Sequence, residues 1–424
     1  MSSFFVCRRR RVLNAEGRGS YRRQVARWCA ATALVTVAVL FSAPMKPSGA
    51  GASPTLLPTA SSEVGSTVRA PSADSWDVLA LRPMGPTEAW TWLSAANYSG
   101  TGPYAEAVDL TLDGGRTWLD RTPPPLVKAS MSRGIEQLAA LGPSDAWIAY
   151  GAAGSGSPQT LMFTTDGGLR WASAGRLPSP YCTLQFLSSS VGWCVANLAA
   201  AGTDAVVIYR TADAGEHWSF ESSGAIQGHP GTKGSLPTAC DKSVTFSGTT
   251  DGWAAFSCPV GVPPLYESTD SGRSWQLRSV GPLPPGYVSG DAGAAWTSGP
   301  VFAGAEGAAG IYSSSPGGGT VVFVTVNGGL TWSASPPPEE HARWLVDVVT
   351  ARTWKLYSGR SVLTTTDAGL IWRRAESNLS LPAQAVVDYV DVNHGWYLPA
   401  GGAGLERTTD GGVTWQAVGL PTLS

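Results

Sequence analysis

The feature that most constrains this chain is an eight-residue unit, Ser/Thr-x-Asp/Asn-x-Gly-x-x-Trp, which occurs seven times in 424 residues. We call it the box. Its copies are Thr111/Asp113/Gly115/Trp118, Thr164/Asp166/Gly168/Trp171, Thr211/Asp213/Gly215/Trp218, Ser268/Asp270/Gly272/Trp275, Thr325/Asn327/Gly329/Trp332, Thr365/Asp367/Gly369/Trp372 and Thr408/Asp410/Gly412/Trp415. These residue types suit a tight hairpin turn. The Asp or Asn hydrogen-bonds backbone two residues on, Gly accepts a positive φ, and the flanking Thr and Trp favour strands. Each tryptophan also brings a large apolar area for neighbouring copies to bury. The box is therefore expected to build the fold, its carboxylates serving the turn and not chemistry.

A second tryptophan precedes every box and follows a short turn of its own: Trp90, Trp147, Trp193, Trp253, Trp296, Trp354 and Trp396. Each unit thus reads strand, turn, Trp-strand, loop, strand, box, Trp-strand. The spacings between successive box Asp or Asn positions run from 40 to 57 residues, the length of a propeller blade. The expected fold is all-β, a seven-bladed β-propeller of four-stranded antiparallel blades over residues 76–424. With 51 Gly, 31 Pro and 14% charged residues, the composition agrees with a chain dense in turns.

On these residues the chain resembles the Asp-box, or BNR, repeat proteins: sialidases, sortilin-type receptors, two-propeller xyloglucanases and the exported photosystem II assembly-factor family. That resemblance implies a box turn between the third and fourth strands of each blade. The assembly factors are the most similar group, sharing seven blades, export, the paired turn-Trp strand and the lack of a catalytic set. They hold a membrane-protein partner with an arginine-rich patch, whereas the arginines here (Arg273, Arg278, Arg343, Arg352, Arg360, Arg373, Arg374) are dispersed.

Ahead of the propeller, arginines at 8–11, 18, 22, 23 and 27 precede a 16-residue apolar run from Trp28 to Ala43. Residues 1–52 read as a signal peptide or an N-terminal membrane anchor. The run is short for a span, and Ala50-Gly-Ala52 offers a cleavage site, so cleaved export is the favoured expectation. Residues 53–75, rich in Ser, Pro, Ala and Thr, read as a flexible linker, with Val64–Arg69 an alternative outer strand for the last blade. Of the Lys+Arg and Asp+Glu, residues 53–424 hold 20 and 30, a net charge of −10. A nucleic-acid partner is therefore not expected. Four of the six cysteines fall in blades, and Cys182 with Cys194 and Cys240 with Cys258 each flank one hairpin turn. Those two disulfides are the expected pairing, though four cysteines allow three.

Alternation of turns puts boxes and first-to-second turns on one face and the variable loops on the other. Binding is expected on the loop face, with Ser222–Thr238 and Thr297–Gly319 the favoured loops. No cofactor or metal site is expected, because the four histidines lack ligands at metal spacing. A glycoside hydrolase is the alternative, but the Arg-Ile-Pro motif of sialidases is absent, and Glu88, Asp109, Glu136, Glu306 and Asp347 remain as carboxylates without a motif. The sequence thus leads to an exported, non-enzymatic scaffold that binds a protein or a glycan at the cell envelope. Its membrane contact is expected only through an uncleaved N-terminal segment.

Overall fold

Each box closes a hairpin, and seven closed hairpins in register make a ring. In the computed structural model the description covers residues 61–63, 68–69, 71–72 and 76–421, except 96–105, 125–133, 152–157, 201–202, 226–230, 259–261, 285–293, 314–318, 336–343, 383–385, 400–401 and 403. The chain forms seven four-stranded antiparallel blades. Blade three is typical: Cys182–Phe186, Gly192–Ala200, Thr203–Thr211 and Ser219–Ser223 pair in simple succession from the axis outward. In blade six the single run Trp354–Thr365 supplies the second and third strands, turning at Gly359 (φ 57°), and Lys355 Nζ meets Thr364 Oγ1 across it at 3.3 Å.

The two kinds of turn share one face through a contact repeated in every blade. The amide of the residue after the box Asp or Asn donates to a carbonyl in that blade's first turn, for example Gly114 to Thr87 at 2.8 Å, Ala214 to Ser190 at 2.9 Å and Gly411 to Asn393 at 2.8 Å.

Neighbouring blades are held by aromatic rings. Trp147 stacks on Phe186 of the next blade, with ring centroids 3.9 Å apart, and box Trp218 meets that phenylalanine edge-on at 6.5 Å. Trp193, Phe246 and Trp275 repeat the arrangement, as do Trp253, Phe302 and Trp332. Offset and edge-to-face rings are the favoured geometries for aromatic quadrupoles, so one packing unit recurs around the ring. The seam between blades one and two departs from it. Ala140 stands where those three seams carry a phenylalanine, so Trp90 and box Trp171 meet directly, edge-on at 6.3 Å, and Trp171 Nε1 donates to Arg121 O at 2.8 Å.

The seven box tryptophans are not buried alike. Trp118, Trp171, Trp275, Trp332 and Trp415 are buried, whereas Trp218 and Trp372 are half-buried.

Ring closure needs no shared strand. Blade seven packs on blade one through Trp396, Leu405 and Leu420 against Val78, Leu93 and Trp118. Trp118 Nε1 donates to Gly419 O at 2.7 Å and Val78 N to Gly402 O at 2.9 Å. Within the stretch read as a linker, three short strands line the outer edges. Ser61–Glu63 pairs with blade two, Val68–Arg69 with blade one, and Pro71–Ser72 with Leu420–Pro421. Val68–Arg69 therefore joins the first blade and not the last.

Blade five corrects the sequence reading. Its first strand is Ala294–Ala303, and Thr297–Gly319, expected to be a loop, is largely a hairpin of that strand with Glu306–Ser313. Trp296 consequently lies on the first strand. The second-strand tryptophan position, next to the glycine that faces the box threonine, is filled by Ala308. Both disulfides are present, Cys182–Cys194 and Cys240–Cys258, with Cα atoms 5.0 and 5.1 Å apart. Such bonds persist in oxidising compartments.

Candidate functional site

The box turns are chemically closed. In each, the Thr or Ser hydroxyl donates to the Asp or Asn Oδ1 and accepts the box-glycine amide. That same Oδ1 accepts the amide four residues on; in blade seven the distances are 2.9, 2.9 and 2.8 Å. The sequence reading took one aspartate, or Asn327 in its stead, to serve all seven turns alike, with a bond to backbone two residues on. The bond that closes the turn instead reaches four residues on, and the second side-chain atom is used differently from box to box. Asp113, Asp270 and Asp410 accept a hydroxyl from Thr117, Ser274 and Thr414 through Oδ2. Asp166 keeps the Oδ1 contacts, to Thr164 Oγ1 and Arg170 N, each at 2.9 Å, but the residue four on is an arginine and brings no hydroxyl. Asn327 inverts the pattern: Oδ1 accepts Thr331 N at 3.0 Å while Nδ2 donates to Thr331 Oγ1 at 2.8 Å. The turn thus forms with or without a charge.

Partial burial pushes the carboxyls of Asp113, Asp213, Asp270 and Asp410 up, but the donated hydrogen bonds outweigh it and hold them below the ordinary range. At Asp367 the Ile371 amide is the largest influence and acts in the same direction. Carboxylates committed in this way hold a turn together. They have no proton to give near neutral pH.

Two consecutive residues in each box adopt the left-handed conformation, as a type I′ turn requires. The box glycines have φ between 78° and 100°, and the preceding position has φ between 60° and 76°. At that position blades three, four and six carry Ala214, Ser271 and Ala368 in place of glycine.

The departure that gives the ring a polar sector is in blade six. Val348 pairs with Trp354 and Asp347 with Lys355, where blades three, four and seven pair an aromatic with Gly and the residue before it with Trp, as Phe186 pairs with Gly192 and Gln185 with Trp193. Trp354 therefore sits one position early, and Lys355 fills the tryptophan slot. Lys355 reproduces both tryptophan contacts. Its ammonium lies 4.5 Å from the centroid of the Tyr389 ring, and it donates to Gly411 O at 2.8 Å, as Trp193 Nε1 does to the equivalent Ser271 O.

The partner column on the first strands lies nearest the axis. Gln185 clamps blade four, its Oε1 accepting Phe246 N at 2.8 Å and its Nε2 donating to Phe246 O at 2.7 Å. Asp347 occupies the same place in blade six and accepts from Tyr389 N at 3.1 Å; once ionised it has no proton to donate in return. Asp388 follows in blade seven, and the position in blade one equivalent to Phe246 and Tyr389 is Pro83, which has no N–H; the neighbouring Arg82 acts on Asp388 instead. Asp347, Asp388 and Arg82 are enclosed by protein on neighbouring blades yet remain partly open to water. Burial pushes Asp347 to about 7, against the Tyr389 amide and Lys355. Burial also pushes Asp388 to about 8, with Asp347 adding repulsion and Arg82 opposing it. Lys355 falls to about 8, again chiefly by burial.

The favoured loops fare differently. Thr297–Gly319 is the hairpin described above. Of Ser222–Thr238, the described part packs on blade four: Ser222 Oγ donates to Gly272 O, Trp275 N donates to Gly234 O, and Leu236 is buried. The loop face does hold a cavity of about 60 Å³ between blades five and six, lined by Tyr312, Trp344, Leu345, Tyr357, Ser358, Gly359 and Leu381. Glu306, one of the unassigned carboxylates, is ion-paired with Arg352 at 2.7 Å. Asp213, Glu216 and His217 bring ligand atoms within 4.8 Å of one another, but His217 Nδ1 is already engaged by Asp213 at 2.7 Å. His229 and His341 lie outside the described residues.

No known family model matches the chain, and no curated protein matches it in sequence. Its fold is like that of solved structures. YCF48 bound to a D1 peptide is 15% identical over 85% of this chain and 96% of that one, with a TM-score of 0.48. YCF48 from Cyanidioschyzon merolae is 15% identical, covering 80% and 99%, at 0.44. The GH93 α-L-arabinofuranosidase of Fusarium graminearum, in complex with arabinobiose, is 10% identical, covering 65% and 92%, at 0.39. At these identities the likeness is one of fold.

Sequence reasoning missed Lys355, Asp388 and the ring-stacking Phe186, Phe246 and Tyr389. The aromatics did carry a signal, since each stands six residues before a Gly-Trp pair.

Proposed function

We propose that the protein is an exported, non-enzymatic binding or assembly scaffold at the cell envelope, and that its partner is a protein. The observation that carries this reading is the inventory of the inner strands. Among the described residues they present one arginine, Arg82, and the box carboxylates are consumed by their own turns. Recognition of an anionic sugar by clustered arginines has no counterpart in that set. On the described loop face one aromatic residue, Tyr181, is 46% exposed, a narrow platform for stacking a glycan. The scaffold reading is tested by cross-linking the exported protein in its native envelope alongside a glycan array. A cross-linked protein partner with a silent array supports it, and glycan binding without such a partner overturns the choice of protein.

One observation favours hydrolysis as a second reading. Asp347 and Asp388 stand at equivalent positions on adjacent blades with raised pKa values, and paired carboxyls of differing protonation are what glycoside cleavage uses. Turnover of fluorogenic β-glucosides or sialosides that vanishes in Asp388→Asn would establish it.

A further inference from the structure

The exposed apolar side chains of this ring are not scattered. Among the described residues twelve large hydrophobic residues are exposed, and eight of them lie on the box face, at box turns or the first turn beside one. They are Val326 (77%) and Leu330 (56%) in blade five, Leu370 (84%) and Ile371 (68%) in blade six, Val413 in blade seven, Leu112 in blade one, and Leu141 and Leu169 in blade two. Blade seven adjoins blade one, so these residues form one arc over five consecutive blades. At the two positions after the box glycine, blades three and four carry Glu216 and His217, and Arg273 and Ser274; blade one carries Arg116 and Thr117 there and joins the arc through Leu112, which follows the box threonine where blades three and four have Ala212 and Thr269. The box itself does not demand aliphatic residues there, because the polar versions form the same turn with the same hydrogen bonds. An arc of this kind marks a contact surface.

We propose that the box face of blades five, six, seven, one and two rests on a lipid bilayer, with blades three and four turned away from it. Three observations favour a bilayer over a protein groove or a second copy. The residues are single side chains at the tips of turns that all lie on one face of a ring, an arrangement that fits a flat apolar target. All eight are Leu, Ile or Val, and the exposed Arg116 and Arg373 lie among them, where a guanidinium can meet headgroups while neighbouring tips enter the acyl boundary. Finally, the first described strand, Ser61–Glu63, lies on blade two at one end of the arc. The apolar run ending at Ala43 precedes it by 17 residues, which reach at most about 60 Å. A run engaged with a membrane therefore keeps the ring within reach of that surface. This last point rests on the N-terminal segment staying uncleaved as an anchor, the alternative to cleaved export. The other two do not.

The test uses the full chain, with Cys7 and Cys29 replaced by serine so that an added cysteine is the one free thiol. Leu370→Cys, on the arc, and Leu277→Cys, an exposed residue on the outer strand of blade four, are each labelled with an environment-sensitive nitrobenzoxadiazole. Each labelled protein is mixed with vesicles of phosphatidylcholine and phosphatidylglycerol carrying doxyl-labelled acyl chains. The proposal expects a blue shift and several-fold stronger quenching at position 370 than at 277. It also expects loss of that quenching when Leu330→Ser and Ile371→Ser are added. Equal, weak quenching at both positions overturns it. If the vesicles still sediment with the protein in that case, the leader alone engages lipid and the uncleaved-anchor reading survives; absence of sedimentation removes both the arc proposal and that anchor. A blue shift at 370 that appears without vesicles and grows with protein concentration overturns the bilayer in favour of a second copy.

Discussion

At the scale of single residues, the box separates two demands that look alike in sequence. Its glycine is needed because φ lies near +90° and a β-carbon would strike a neighbouring side chain; at Gly412 it would come within 2.3 Å of the Tyr389 hydroxyl. The position before it needs only a left-handed backbone, which an L-residue adopts at a cost of about 1–2 kcal/mol. Ala368→Gly should therefore stabilise the ring by about 0.5–1 kcal/mol in urea denaturation. Asp410→Ala should cost about 1–3 kcal/mol, because the Thr414 amide and hydroxyl lose their acceptor. The pH dependence of that contribution follows from the sign of the shift. The folded pKa is lowered, so the stabilisation is present above the unfolded value near 3.8 and is lost as pH falls through the folded value. Acid titration of Asp410→Ala against the parent should show the difference closing at low pH.

At the scale of the blade, the seams decide stability. Trp415 is 4% exposed and meets Tyr389 and Tyr397 edge-on, so Trp415→Ala should cost about 3–5 kcal/mol. Trp372 fills the same box position but is half-buried, and Trp372→Ala should cost about half as much on the same scale. The box pattern alone gives no reason to rank the two. The outer strand of blade six is pinned to blade seven by Asn378, whose Oδ1 accepts Trp415 N at 2.8 Å and whose Nδ2 donates to Trp415 O at 3.0 Å. Asn378→Ala should cost about 1–3 kcal/mol by orphaning that backbone pair. Thermal melts of the three variants would order them.

At the scale of the whole ring, the polar sector of blades six, seven and one gives stability an unusual pH profile. Asp347 and Asp388 have folded pKa values raised from 3.8 to about 7 and about 8, so the stability they contribute is present below the unfolded value and lost as pH rises through those values. Lys355 has its pKa lowered from 10.5 to about 8, so its burial is costly while it is charged and is relieved as pH rises above about 8. All three place a dip in stability between about pH 7 and 8. The midpoint of thermal unfolding should be higher at pH 5 than at pH 7.5. Asp347→Asn should flatten the slope and gain about 1 kcal/mol at pH 7.5, since a carboxamide can both accept from Tyr389 N and donate, as Gln185 does at Phe246. Calorimetry across pH would check both.

Seven boxes at blade spacing determined the number of blades, the antiparallel order within each and the face on which the turns gather, because a hairpin's chemistry is local and resides in adjacent residues. Flanking positions likewise announced the two disulfides. Blade five was misread because its second-strand tryptophan is absent and Trp296 lies nearby on another strand. The distinction between them is one of pairing register, which the chain order does not carry. For the same reason only the tertiary structure could show that Trp171 packs straight onto Trp90, that Lys355 stands in a tryptophan's place, that Asp388 comes within the influence of Arg82 and Asp347, and that the exposed aliphatic tips of five separate blades form one arc. Each of these is a relation between blades, set by packing around the ring and not by spacing along it.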